Sequence, residues 1–170
     1  MQINIGCGRR VLPGWINVDL YPSDSAVLKG DICAGIPELK TAVAREILLD
    51  NVIEHVADIP RAMREIERLS CPGASITIIT PHFSSADSWT DPTHRWHLAL
   101  GSLNYFCGNE NNNRYSEGLA FEMVEVKLSF QGGLMGLCGR CIYSLNPRLW
   151  ERKLSFIFRA STITYRLRRI

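Results

Sequence analysis

Apolar residues in this chain gather in short runs divided by polar, turn-forming stretches. Runs near 2–5, 15–19, 27–31, 46–50 and 75–80 have the length and apolar character of buried strands, and further strands are predicted near 121–130 and 161–169. Between the fourth and fifth runs the period becomes helical. Ile59, Met63, Ile66 and Leu69 fall on one stripe, while Arg61, Arg64, Glu65 and Arg68 point away from it. Asp58 is placed to cap this helix with Pro60 just inside, and Pro72-Gly73 closes the element. Alternating strands and helical segments predict a mostly parallel sheet. Its carboxyl-end rim collects Gly6, Gly8, Asp19, Asp31 and Asp50, and ligands of open α/β sheets bind along such a rim.

The first rim segment carries the chemistry. Residues 3–19, INIGCGRRVLPGWINVD, run from a strand through Gly6-Cys7-Gly8 to a second strand ending on Asp19. Glycines directly after a strand let backbone N–H groups approach a ligand, and a carboxylate ending the next strand can accept both hydroxyls of a ribose. A dinucleotide fingerprint would need a third glycine where Val11 stands and an acid about 20 residues on. Asp19 lies only 11 residues past Gly8, and Pro13-Gly14 leaves little room for a crossover helix. A pyrophosphate binder is therefore disfavoured, and a ribose-bearing ligand without phosphates, such as S-adenosylmethionine, fits.

With these residues the chain resembles the small class I S-adenosylmethionine-dependent methyltransferases, in particular the methyltransferase type 11-like branch. Asp31-Ile32 resembles the adenine-contacting acid after the third strand, and ILLDNVIEHV (47–56) the fourth strand with its "EH" signature. EIERLSCPGASITIITPH (65–82), DPTHRWHLALGSLNYF (91–106) and the segment from 150 to 170 are similar to later parts of the same branch. The chain departs from the pattern at Asn51, where many relatives carry His, and at Ala74, the second glycine of the turn. The resemblance implies a Rossmann-like α/β fold with a mostly parallel central sheet, a late antiparallel strand and helices on both faces. It further implies one domain over 1–170, with an acceptor-side lid at 81–118 and a basic segment at 140–170.

Site roles follow from the same resemblance. Gly6, Cys7 and Gly8 would present backbone to the methionine and ribose portions of S-adenosylmethionine, Asp19 with Leu20 would hold the ribose, and Asp31 with Ile32 the adenine. Asp50 and Asn51 would lie near the methionine portion, with His55 at the rim. Methyl transfer needs an acceptor aligned with the S–CH3 bond, water excluded and, for a hydroxyl, a base. His82, Asp91 and His94 are the candidates for that work, within a polar cluster that also holds Asp87 and His97. Asp91 and His94 stand at i, i+3, the spacing at which a carboxylate can orient an imidazole. No metal is assigned; the alternatives for the cluster are a divalent ion held by its imidazoles and carboxylates, or a pinned lid loop in which D-P-T-H is a capped turn. Trp89, Trp96, Tyr105 and Phe106 flank it and either pack the lid or stack on an acceptor. NENNNR (109–114) reads as an exposed loop.

Composition narrows the setting. A chain of 170 residues, 46% apolar, can bury a core of its own. The net charge of +2 gives no global sign of a polyanion partner, but 140–170 holds eight Lys or Arg against the single acid Glu151. That end is either a solvated face or one that approaches an anionic membrane surface or acidic glycan, with Trp150, Phe156 and Phe158 beside the charges. No apolar run approaches the ~18 residues of a membrane span and no export signal is visible, so a cytoplasmic address and reduced thiols are expected for the six cysteines. Cys138 and Cys141 form C-G-R-C in what reads as a late loop, without the second pair a structural zinc site needs. The acceptor is expected to be a small molecule or glycan, methylated on O or N. Nucleic acid is unlikely, since strand four ends in LLDN rather than a target-base motif. A non-catalytic S-adenosylmethionine-binding scaffold and a nicotinamide-linked oxidoreductase remain the other readings, and monomer and homodimer both suit the sequence.

Overall fold

The computed structural model describes residues 1–108 and 119–170; the NENNNR run and the end of the expected lid lie outside the described residues. Strands β1 (Gln2–Ile5), β2 (Ile16–Asp19), β3 (Leu28–Lys29), β4 (Ala44–Asp50), β5 (Ser70–Pro81), β6 (Phe121–Phe130) and β7 (Ala160–Arg169) form one sheet in the order β3-β2-β1-β4-β5-β7-β6. The first five are parallel, and β7 is antiparallel to both of its neighbours. Register explains why the sheet has one apolar side. Ile3, Ile47, Ile76 and Leu167 stand in one row, and Ile5, Leu49, Ile78 and Tyr165 in the next. All eight are buried.

Helix α1 (Ile59–Leu69) is capped as expected, the Asp58 carboxylate accepting from the Arg61 N–H at 2.9 Å. It adds Ala62, Met63, Ile66 and Leu69 to the core over those rows, while Trp150 closes the far end under β6 and β7. A fully buried side chain of this size contributes about 1.5–3 kcal/mol. The opposite face of the sheet is different: its central row reads Asn17, Asn4, Leu48, Thr77, Arg166 and Glu125. The connections 6–15, 20–27 and 30–43 hold no helix. Ten residues between β1 and β2 are too few for a crossover helix.

Three local expectations need correction. Glu65 does not point away from the core but is buried, because Arg68 turns with it to hold the 36–41 loop. Cys138 and Cys141 lie in a helix, α3 (Gly133–Leu145), rather than a loop. Strand β5 begins five residues early, with a register shift between Ala44–Ser70 and Glu46–Ser75 that absorbs Pro72-Gly73. After α3 the chain passes through Pro147–Leu149 and a π-helical turn, Trp150–Leu154, into β7. All six cysteines are free thiols.

The Glu65–Arg68 pair yields a pH-dependent prediction. Burial by itself pulls the Glu65 carboxyl upward, but two hydrogen bonds from Arg68 and one from the Ile36 N–H at 2.7 Å outweigh it and hold the carboxyl below its ordinary range. A depressed carboxyl stabilises the fold above its unfolded pKa, and that contribution is lost as pH falls through the native value. Glu65→Gln should therefore cost about 2 kcal/mol in urea unfolding at pH 7. The gap from wild type should close as pH drops below 4.

Candidate functional site

A buried amide pair holds the first rim loop where a helix is absent. Asn4 Nδ2 donates to Asn17 Oδ1 and to the Arg10 carbonyl, both at 2.9 Å. Asn17 in turn accepts from Leu12 N–H at 2.9 Å and donates to the Leu12 and Trp15 carbonyls. Two side chains thus satisfy four backbone groups of the 6–15 loop. At the loop's start Gly6 takes φ +66°, and a Cβ there would stand 2.4 Å from Val52 Cγ2. Only glycine lets β1 turn this closely past the end of β4. Asp19 closes the loop from the other side: its carboxylate accepts from the Gly8 N–H at 2.7 Å and the Tyr21 N–H at 2.8 Å. Each oxygen keeps a second lone pair for a hydroxyl.

These elements surround a cavity of about 440 Å³ lined by Gly6, Asp19, Leu20, Asp31, Ile32 and Asn51, with His55 and Arg95 at its margin. That volume suits a nucleoside-sized ligand. Asp31 Oδ1 accepts from the Cys33 N–H at 2.8 Å, which fixes the carboxylate at the cavity wall. Asn51 takes a left-handed φ of +55° and donates its N–H to the Ile79 carbonyl, so the chain leaves β4 sharply. Cys7, Gly8 and Asp50 do not line this cavity. Cys7 is buried, and burial followed by the charge of Asp19 pushes its thiol upward, which makes it a packing residue. Asp50 pairs with Arg10 and accepts from Asn51 Nδ2.

A second, more open cavity of about 550 Å³ lies beside the first, lined by Asn51, His55, Pro81, Asp87, Thr90, Asp91, Pro92 and His94. Asn51 and His55 belong to both. The expected histidine cluster divides here. Asp91 and His94 do come together, with His94 Nε2 3.9 Å from Asp91 Oδ2. Thr93 donates both its hydroxyl (2.7 Å) and its N–H (2.8 Å) to Asp91 Oδ1, and these bonds hold the Asp91 carboxyl below its ordinary range. His82 does not join them. It is fully buried, bonded through Nδ1 to Ser84 Oγ at 2.8 Å, with Glu151 3.5 Å from Nε2, because the Pro81-His82 end of β5 turns under Trp150. His97 stacks on Trp89 at 3.6 Å and bonds to Ser88.

Sequence reasoning missed Glu54, Thr93 and Val52. Thr93 was visible as part of a D-P-T-H turn, but nothing in that turn says that His55 lies across it, 38 residues away, with Nδ1 3.0 Å from the Thr93 hydroxyl. Glu54 is buried, and its backbone carbonyl accepts from Arg95 and Trp96 N–H, tying the segment after Pro92 to the "EH" segment. Trp96 adds its indole N–H to the Val56 carbonyl at 2.7 Å.

No family model matches the chain, and no curated protein does. Solved structures do. An S-adenosylmethionine-dependent methyltransferase from Archaeoglobus fulgidus superposes with TM-score 0.66 at 18% identity, over 99% of this chain and 85% of that one. One from Mesorhizobium loti gives 0.63 at 12% identity, over 99% and 90%. A phosphoethanolamine N-methyltransferase from Haemonchus contortus, solved with phosphomonomethylethanolamine and S-adenosylhomocysteine, gives 0.54 at 11% identity, over 99% of this chain and 48% of that one. The chain has the Rossmann-like class I methyltransferase fold. At these identities the likeness is one of fold, and function has to be argued from the site.

Replacing Gly6 tests the geometry of the rim. Gly6→Ala should destabilise the protein by about 2–4 kcal/mol, from overpacking against Val52 and the left-handed backbone. Adding Val52→Ala should recover the packing part only, as read by chemical denaturation.

Proposed function

We propose that the protein is an S-adenosylmethionine-dependent methyltransferase of the type 11-like branch, acting in the cytoplasm on an O or N of a small molecule or glycan. The observation that carries this reading is the pair of cavities that share Asn51 and His55 as a common wall. A cofactor site and an acceptor site must meet at one point for an in-line transfer. Bound S-adenosylmethionine would supply a methyl group already activated on a sulfonium. Asp19 would accept the ribose hydroxyls on its remaining lone pairs, Asp31 with Ile32 would take the adenine, and the Gly6 backbone with Asn51 would face the methionine portion. His94, held through Nδ1 by the Ser88 carbonyl, would remove a proton from a hydroxyl or ammonium acceptor with Nε2, and Asp91, fixed by Thr93, would stabilise the imidazolium that forms. His82 supports the lid from below and lies outside that chemistry in this reading.

The test is calorimetric titration with S-adenosylmethionine and S-adenosylhomocysteine, with NAD as competitor. Asp19→Ala should weaken binding about tenfold or more, equivalent to about 1.4 kcal/mol. Displacement by NAD would favour the oxidoreductase reading, and binding with no transfer to any hydroxyl or amine acceptor would favour a scaffold.

We also propose that the 133–159 surface contacts an anionic membrane. Helix α3 turns only Gly136 and Gly139 fully inward, the latter against Phe130 and Phe158, and leaves Leu134, Leu137 and Leu145 exposed beside Leu149, Phe156 and Ile157. Arg140, Arg148, Arg152, Lys153 and Arg159 are exposed around this patch, and among the described residues none forms an ion pair. The one acid nearby, Glu151, turns inward to accept the Leu100 N–H at 2.7 Å. Each basic residue at an anionic surface contributes about 1 kcal/mol, and the same charges oppose pairing of this face with a second copy. No helix among the described residues is long and apolar enough to cross a membrane, so the contact would be interfacial. The protein should co-sediment with phosphatidylserine-containing vesicles but not with pure phosphatidylcholine, and Leu134→Ser/Leu137→Ser should release it. Equal recovery with both vesicles, or none with either, would refute the contact.

A further inference from the structure

Glu54 is only 1% exposed, yet neither of its carboxylate oxygens has a hydrogen-bond partner among the described residues, and the Thr80 hydroxyl beside it also lacks one. An unpaired buried carboxylate is costly, and burial pushes this one toward its neutral form. The Thr80 hydroxyl is the nearest donor but forms no bond to it, and on its other side stand two imidazoles. One ligand atom each from Glu54, His55 and His94 lies within 4.8 Å of the other two, and none of the three side chains hydrogen-bonds to another. The three groups therefore converge without bonding to one another, the two imidazole rings meeting edge to face at 4.6 Å.

The neighbouring hydrogen bonds decide what the imidazoles offer to that point. His94 Nδ1 lies 3.0 Å from the Ser88 carbonyl, which can only accept, so Nδ1 carries the proton and Nε2 a lone pair. His55 Nδ1 lies 3.0 Å from Thr93 Oγ1, whose own hydrogen is given to Asp91 at 2.7 Å. Thr93 must then accept from Nδ1, and His55 also keeps its lone pair on Nε2. Ring N–H groups spent on a carbonyl and on a hydroxyl–carboxylate relay are the outer partners that orient imidazoles toward a metal. Asp91 Oδ2, 3.9 Å from His94 Nε2, stands close enough to add a fourth ligand atom after a small rotation.

We infer that Glu54, His55 and His94 form a site for a divalent first-row transition ion, with Asp91 at its open side. Two imidazoles with carboxylate oxygen suit Zn²⁺, Co²⁺, Fe²⁺ or Mn²⁺ better than Ca²⁺ or Mg²⁺, which take oxygen ligands. The donor set differs from the one the sequence brings to mind: His82 and His97 are bonded elsewhere, and Glu54 replaces them. Because His55 and His94 line the acceptor-side cavity, the ion would take the His94 Nε2 lone pair and, in place of His94 as base, would bind and acidify a hydroxyl of the methyl acceptor, selecting for hydroxyl-bearing acceptors. That role rests on the methyltransferase reading; the ion site does not.

Chelator-stripped protein is titrated with Co²⁺ while its visible absorption is followed, then with Zn²⁺ as competitor, and S-adenosylhomocysteine binding is measured on the same preparation. One Co²⁺ per chain is expected, with nitrogen–oxygen-type bands and no thiolate charge-transfer band, which excludes Cys138 and Cys141 as the ligands. Glu54→Gln and His94→Gln should abolish uptake. Thr93→Val, which removes an outer partner, should weaken it about 10–100-fold. Zn²⁺ should raise the Tm of wild type and leave that of Glu54→Gln unchanged. No Co²⁺ uptake, or uptake that Glu54→Gln and His94→Gln leave intact in protein shown by circular dichroism to be folded, overturns the site. Co²⁺ uptake without S-adenosylhomocysteine binding would keep the site and remove the methyltransferase reading; the reverse result would do the opposite.

Discussion

The arrangement depends on a pair of buried amides. In a doubly wound sheet the connection after β1 is ordinarily held by a crossover helix, whose N-terminus also aims the loop at the ligand. Here ten residues must do that work, and Asn4 and Asn17 do it by pairing across β1 and β2 and bonding to Arg10, Leu12 and Trp15. The cost of leaving such groups unpaired in the interior, about 1–3 kcal/mol each, is what keeps the loop in one shape. With the loop fixed, Gly6 can pass within contact of Val52, and Asp19 can meet the Gly8 N–H.

The same economy leaves one face of the sheet polar. Arg166 and Glu125 pair across β7 and β6 at 2.9 Å where a packed helix would demand apolar side chains. Stability is thereby concentrated on the other face, in the rows through Ile3 and Ile5 and in α1. The 91–98 segment is attached to this core by backbone bonds from Arg95 and Trp96 to Glu54. Binding at one cavity has a short mechanical path to the other through Asn51 and His55.

How much of this was legible in the sequence follows from how local each feature is. Strand positions, the Asp58 cap and the Gly6–Asp19 rim depend on residues close in the chain, and the fold follows them. Glu65 misled because its carboxylate pairs within the helix, at i+3, and so turns inward with Arg68 against a loop 29 residues away. Helix α3 was missed because its outward face carries Leu134, Leu137 and Leu145 while Gly136 and Gly139 are its fully buried positions, which blurs the amphipathic pattern that marks a surface helix. The histidines near 82–97 looked like one cluster because they are close in sequence. Their separation into a buried His82, a stacked His97 and a His94 beside Asp91 is set by β5 ending at Pro81 and by Trp150, 53 positions past His97, neither of which spacing reveals.

The account stands or falls on what occupies the first cavity. A crystal structure of the protein grown with S-adenosylhomocysteine tests this most directly. The account predicts the ribose hydroxyls on Asp19, the adenine beside Asp31 and Ile32, and the sulfur directed toward the wall formed by Asn51 and His55. Adenosine density elsewhere on the molecule, or a ligand whose ribose makes no contact with Asp19, would contradict it.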